Sequence, residues 1–80
     1  MKTLAPREAV EKAVTYHAED AEGLTPVIEN DADLLEWLLY VLRQVGGFDD
    51  DYPIQVEIRD AGIVIEGDGE VMQAVRQYLL

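Results

Sequence analysis

The stretch Ile54-Gln55-Val56-Glu57-Ile58-Arg59-Asp60-Ala61-Gly62-Ile63-Val64-Ile65-Glu66 decides the fold class. Apolar and polar residues alternate from Ile54 to Arg59, the period of a strand with one buried face. Asp60-Ala61-Gly62 carries turn chemistry, and Ile63–Glu66 returns as a strand rich in β-branched side chains. The apolar faces fix the parity of the pairing. Setting Asp60 against Ile63 puts Ile58 opposite Ile65, with both apolar rows on one side. Setting Arg59 against Ile63 would place those rows on opposite faces. The even loop is therefore expected. A lone hairpin is marginal in water, so helices must cover its apolar face.

Those helices lie on either side. From Pro6 to Glu22 the residues Val10, Ala13, Val14, His17, Ala18 and Ala21 fall on one helical stripe. Glu8, Glu11, Glu19 and Glu22 take the other side. Pro6 suits a first helical turn, and Gly23 a left-handed stop with Leu24 as its apolar contact. After the connector Thr25–Glu29, Asn30 or Asp31 caps a second helix reaching about Val45. Asp31, Asp33 and Glu36 crowd its start, where the helix dipole favours negative charge. Its remaining positions are apolar nearly all round, so some of Trp37, Tyr40 and Val41 is expected at a contact surface or under the acidic loop. Gly46-Gly47 ends it, and Phe48–Pro53 forms a loop. Gly67-Asp68-Gly69 leads into a last helix from about Glu70 to Leu80, with Val71, Met72, Val75, Tyr78 and Leu79 inward. The expected fold is α+β, one small domain over residues 1–80 in the order α-α-β-β-α, a two-stranded antiparallel hairpin covered by helices.

Charge limits what such a domain can do. Seventeen acids face 6 bases, a net charge of -11 and an isoelectric point near 4.1. This chain repels nucleic acid, whose phosphates need Lys and Arg, and it is drawn to basic surfaces. The acidity could instead serve solubility alone, or reflect a salt-adapted host; the isoleucines and the hydrophobic second helix argue against the latter. With 49% hydrophobic residues the chain can collapse. It has no cysteine, hence no disulfide or thiolate zinc site. It shows neither a signal-peptide pattern nor an apolar run of about 18 residues, so a cytoplasmic location is expected.

Catalytic and cofactor chemistry finds little footing. The chain lacks serine and cysteine, which excludes Ser–His and Cys–His nucleophiles, and no cofactor is expected. His17, the single histidine, reads as a packed imidazole with one hydrogen bond. No carboxylate pair stands out as an acid/base couple. Asp49-Asp50-Asp51 departs from a calcium-loop pattern. Gly67-Asp68-Gly69 starts like a phosphate-binding glycine fingerprint, but Met72 stands where the third glycine belongs and the acid repels phosphate. Acyl carrier proteins, also small, acidic and helical, carry their cofactor on a serine absent here.

What remains is the acidic surface. Residues 31–52 set six carboxylates against Arg43 alone, the densest segment of the chain. Asp49, Asp50 and Asp51 are bracketed by Phe48 and Tyr52, and aromatic anchors beside charge are a common hot-spot composition. With Asp31, Asp33 and Glu36 they form the expected partner-binding set; the bland alternative is a solvated loop with both aromatics in the core. Glu19, Asp20, Glu22 and Glu29 could extend the field. A row of carboxylates can occupy a groove built for phosphates, because Arg pairs with either group in the same bidentate way.

In size, charge, lack of cysteine, compact α+β order and absence of catalytic groups, the chain resembles the small acidic anti-CRISPR proteins of phages. The resemblance implies a protein that binds a basic DNA-recognition surface, such as that of a Cas surveillance complex, and blocks target engagement without chemistry. The alternative is an assembly module associating through the second helix, with Trp37 and Tyr40 in the interface.

Overall fold

Six elements follow one another along the chain: β1 (Lys2–Ala5), α1 (Arg7–Glu22), α2 (Asp31–Gly46), β2 (Gln55–Arg59), β3 (Gly62–Glu66) and α3 (Gly69–Tyr78). The computed structural model describes residues 1–23 and 25–80, with every side chain among them except those of Ala21 and Glu22. The contact expected of Leu24, and the places of Ala21 and Glu22 on the faces of the first helix, lie outside the described residues.

The fold is α+β, and its sheet has three strands rather than two. The hairpin is present as β2 and β3, and β1 joins it on the far side of β3 to give the antiparallel order β1-β3-β2. Four residues ending at Ala5, just before Pro6, alternate too briefly to show as a strand. Their partner lies some 60 positions away, with Lys2 opposite Glu66 and Ala5 opposite Ile63. The parity of the hairpin is as expected, but the register differs by two residues. Arg59 pairs with Gly62, Ile58 with Ile63 and Val56 with Ile65, so Asp60 and Ala61 alone make the turn. Gly62 is needed inside the strand. It takes φ +143, and a Cβ there would strike the carbonyl oxygen of Ala5.

One face of the sheet is covered. Ala5, Ile63 and Ile65 are fully buried beneath the helices, whereas Leu4 on the other face is exposed. α1 packs on β3 and α2 on β2, and α3 packs against α2. α1 contributes Val10, Val14 and Ala18 to the core, and its stop at Gly23 (φ 65) is left-handed as read. In α2 Leu34, Leu38, Val41 and Leu42 are buried at helical spacing. Val41 is therefore core, Trp37 is half-buried against the core, and Tyr40 is exposed. Asn30 is the cap of α2, its side chain accepting from the N–H of Asp33 at 2.9 Å. Asp68 caps α3 in the same way through Val71. His17 sits half-buried with Nε2 3.0 Å from the carbonyl oxygen of Tyr78. A carbonyl only accepts, so Nε2 carries a proton and donates. No helix among the described residues is long and apolar enough to cross a membrane.

Two substitutions test this account by urea denaturation. Gly62→Ala is expected to cost roughly 1–3 kcal/mol, because a side chain is forced into a backbone conformation that only glycine takes readily. Asn30→Ala is expected to cost about 1 kcal/mol through the lost cap.

Candidate partner-binding site

The acidic loop grows out of the C-terminal end of α2. Gly47 turns left-handed at φ 71, and its N–H and that of Phe48 both reach the carbonyl of Arg43. The chain then wraps around the Arg43 side chain. Its guanidinium donates to the carbonyl oxygen of Asp49 and, at 3.0 Å, to that of Tyr52. Tyr52 N–H closes the turn onto the Asp49 carbonyl at 3.0 Å. Arg43 thus holds the backbone of the loop and leaves its carboxylates alone. Asp49, Asp50 and Asp51 are exposed, and among the described residues none has an ion-pair partner.

Phe48 and Tyr52 pack partly against the core, ring centroids 4.7 Å apart. They anchor the loop from below more than they project from it. The close approach of the Phe48 ring depends on Gly46, where a Cβ would fall on the ring edge. The Tyr52 hydroxyl donates to Asp68 Oδ2, which brings the start of α3 beside the loop. That bond, reduced hydration and the charges of Asp68 and Glu70 push the Tyr52 pKa up to about 12. The same bond, aided by the N–H of Val71, holds the Asp68 carboxyl below the usual carboxylate range. The site therefore gains Asp68 and Glu70, which the sequence reading did not include. Only the helix-start spacing of Asp68 pointed to them, and it carried no hint of Tyr52.

Asp31, Asp33 and Glu36 belong to the other end of α2. Sixteen helical residues span about 24 Å, so these acids and the loop do not form one cluster. Asp31 accepts from Arg7 at 2.7 Å, and Asp33 accepts from the N–H of Glu29 at 3.1 Å. Glu36 is exposed. Beside Arg7 lies a shallow hollow of about 660 Å³, lined in part by Asp31, Arg59 and Gly62. Its two arginines are already paired, Arg7 with Asp31 and Glu11, Arg59 with Glu57. No three acidic or imidazole side chains among the described residues converge to hold a metal ion.

The helix dipoles separate these acids by cause. Asp31 and Asp33 lie in the first turn of α2 and Glu70 in that of α3, where negative charge steadies the helix. Asp49, Asp50 and Asp51 lie beyond the C-terminal end of α2, where the dipole disfavours them. Among the described residues these three carboxylates have neither an ion pair nor a favourable helix end to steady them. Comparison with family models, curated proteins and solved structures gives no match for the chain.

The Tyr52–Asp68 pair has a pH signature. Asp68, with its pKa lowered on folding, contributes stability above the ordinary carboxylate value of 3.8 that is lost as pH falls through the lowered one. Tyr52, with its pKa raised, contributes below 10.0 and loses the contribution as pH rises through about 12. Ultraviolet titration of tyrosinate is expected to show the Tyr52 hydroxyl ionising near 12, and Asp68→Asn to bring it back toward 10.0.

Proposed function

We propose that this protein works without chemistry, by placing Asp49, Asp50 and Asp51, with Asp68 and Glu70 beside them, on a basic surface of a partner macromolecule. The observation that carries the reading is the triplet itself. Three carboxylates sit on a loop whose backbone is fastened by Arg43, with no ion-pair partner among the described residues and against the local helix dipole. A fixed loop loses little conformational freedom on binding, and an ionised carboxylate can accept an arginine fork with two parallel bonds. The basic surface proposed is one that otherwise holds nucleic-acid phosphates, as in the anti-CRISPR resemblance, with a Cas surveillance complex as the partner type. The bound protein would exclude the nucleic acid by occupying its contacts.

The test is retention of host-lysate proteins on the immobilised chain, with elution by rising salt and competition by duplex DNA. A nucleic-acid-binding partner that elutes with salt and is displaced by DNA is expected. Replacing Asp49, Asp50 and Asp51 by Asn should lower affinity by about tenfold or more, since unpaired partner charges are then left behind. Retention that resists salt, survives the triple change and falls with Trp37→Ala would place the contact on α2 instead. There Trp37 meets Tyr40 edge to face at 5.8 Å.

A further inference from the structure

The two edges of the sheet are unequal, and hydrogen-bond parity shows which backbone groups each edge presents. Met1 and Gly67 exchange two bonds, Met1 N to Gly67 O at 2.8 Å and Gly67 N to Met1 O at 2.9 Å. They are a hydrogen-bonded pair, so by antiparallel alternation Thr3–Ile65 and Ala5–Ile63 are too. Ile63 and Ile65 thus point their N–H and C=O groups at β1. Val64 and Glu66 point theirs at β2, where they meet Glu57 and Gln55. Val56 and Ile58 are left facing away from β3. Neither has a loop, turn or side-chain hydrogen bond among the described residues.

Proteins usually blunt such an edge by shortness, proline, lysine or a bulge. β1 has all but the bulge, with four residues, Lys2 inside and Pro6 at its end. β2 is one residue longer and has no proline, lysine or bulge, its charges being the paired Glu57 and Arg59. Its pairing with β3 runs unbroken from Gln55 to Arg59, without proline or lysine. Val56 and Ile58 are also only half-buried, although their side chains lie on the helix-covered face. A further strand there would satisfy their backbone groups and complete the burial of their side chains.

We propose that the β2 edge binds an extended basic segment of a partner protein as a fourth strand. Charge selects the occupant. Exposed Asp50 and Asp51 precede β2 and exposed Asp60 follows it, so the unpaired charge lies at the two ends of the strand, while on its open face Glu57 is paired with Arg59. A strand laid along β2 would turn alternate residues toward Val56 and Ile58, where apolar side chains fit, and the others to the open face, where lysine or arginine at its ends comes beside Asp50, Asp51 and Asp60. A second copy of this chain would bring another charge of -11 to the same edge. The proposal rests on the basic-partner reading given above and names the backbone that receives the partner.

The probe is a short peptide in which lysine and valine alternate, added at low salt to the whole protein, with amide hydrogen exchange read by NMR. Val56 and Ile58 are expected to exchange rapidly in the free protein and at least about tenfold more slowly with the peptide. Val56→Pro removes an outward N–H that the sheet does not use, and should abolish the protection while leaving β3 amides protected. Binding with exchange unchanged at both residues would overturn the edge and leave the Asp49–Asp51 contact standing. Equal protection by a threonine–valine peptide, insensitive to salt, would overturn the basic occupant. Protection that rises with protein concentration alone would assign the edge to a second copy and overturn the proposal as well.

Discussion

β3 commits its backbone to a neighbour on each side, and the rest of the molecule is arranged by that commitment. Ile63 and Ile65 have no exposed surface, because strands flank them and helices lie above. The double pairing lets Gly62 come up against the Ala5 carbonyl at one end. At the other end it ties the first residue of the chain to Gly67. Asp68 follows at once, caps α3 and accepts the Tyr52 hydroxyl. The acidic loop is thereby held against the start of α3, next to the end of the central strand. A weaker β3 would loosen the carboxylates at that end as well as the core.

The cations are distributed in a way that makes the two ends differ. Lys2 pairs with Glu66, Arg7 with Asp31 and Glu11, and Arg59 with Glu57. Exposed pairs of this kind are each worth little to stability. Their larger effect is on the field, since they neutralise acids on the sheet and at the start of α2. Arg43 bonds to carbonyl oxygens instead of carboxylates. Its position shapes the loop while the three aspartates have no ion pair among the described residues, so charge that is spread along the sequence becomes uneven in space.

The helices were legible in the sequence because their signals are local. Apolar residues recur at helical spacing, and Gly23, Asn30 and Gly47 sit where caps form. The hairpin was legible from its alternation, down to the shared apolar face. The two-residue register shift was not, because moving a pairing by two preserves every face; the observed register sets Gly62 against Ala5 of β1, a contact the hairpin sequence alone does not show. β1 itself gave no signal, being four residues long and paired across nearly the whole chain. The same limit applies to the site. Asp49, Asp50 and Asp51 stood out by composition, but their separation from Asp31 and Asp33 follows from helix length and packing. The roles of Arg43 and Asp68 depend on contacts 9 and 16 residues apart in the chain, with no periodicity to mark them.

Size joins the acidic end to the free edge. The molecule measures 30 × 29 × 21 Å and exposes 4962 Å². A specific interface of ordinary size buries about 800 Å² on each partner, close to one-sixth of this surface. A patch of that area cannot be confined to three aspartates. Asp51 is separated from β2 only by Tyr52, Pro53 and Ile54, so a partner seated on the loop reaches the edge strand next. Carboxylates would steer its approach and set its sign, whereas Val56 and Ile58 offer directed backbone bonds and apolar surface that charge alone lacks. On this protein the two features adjoin along the chain, and under the proposed reading electrostatic attraction at the loop would bring a basic segment to the strand that can hold it.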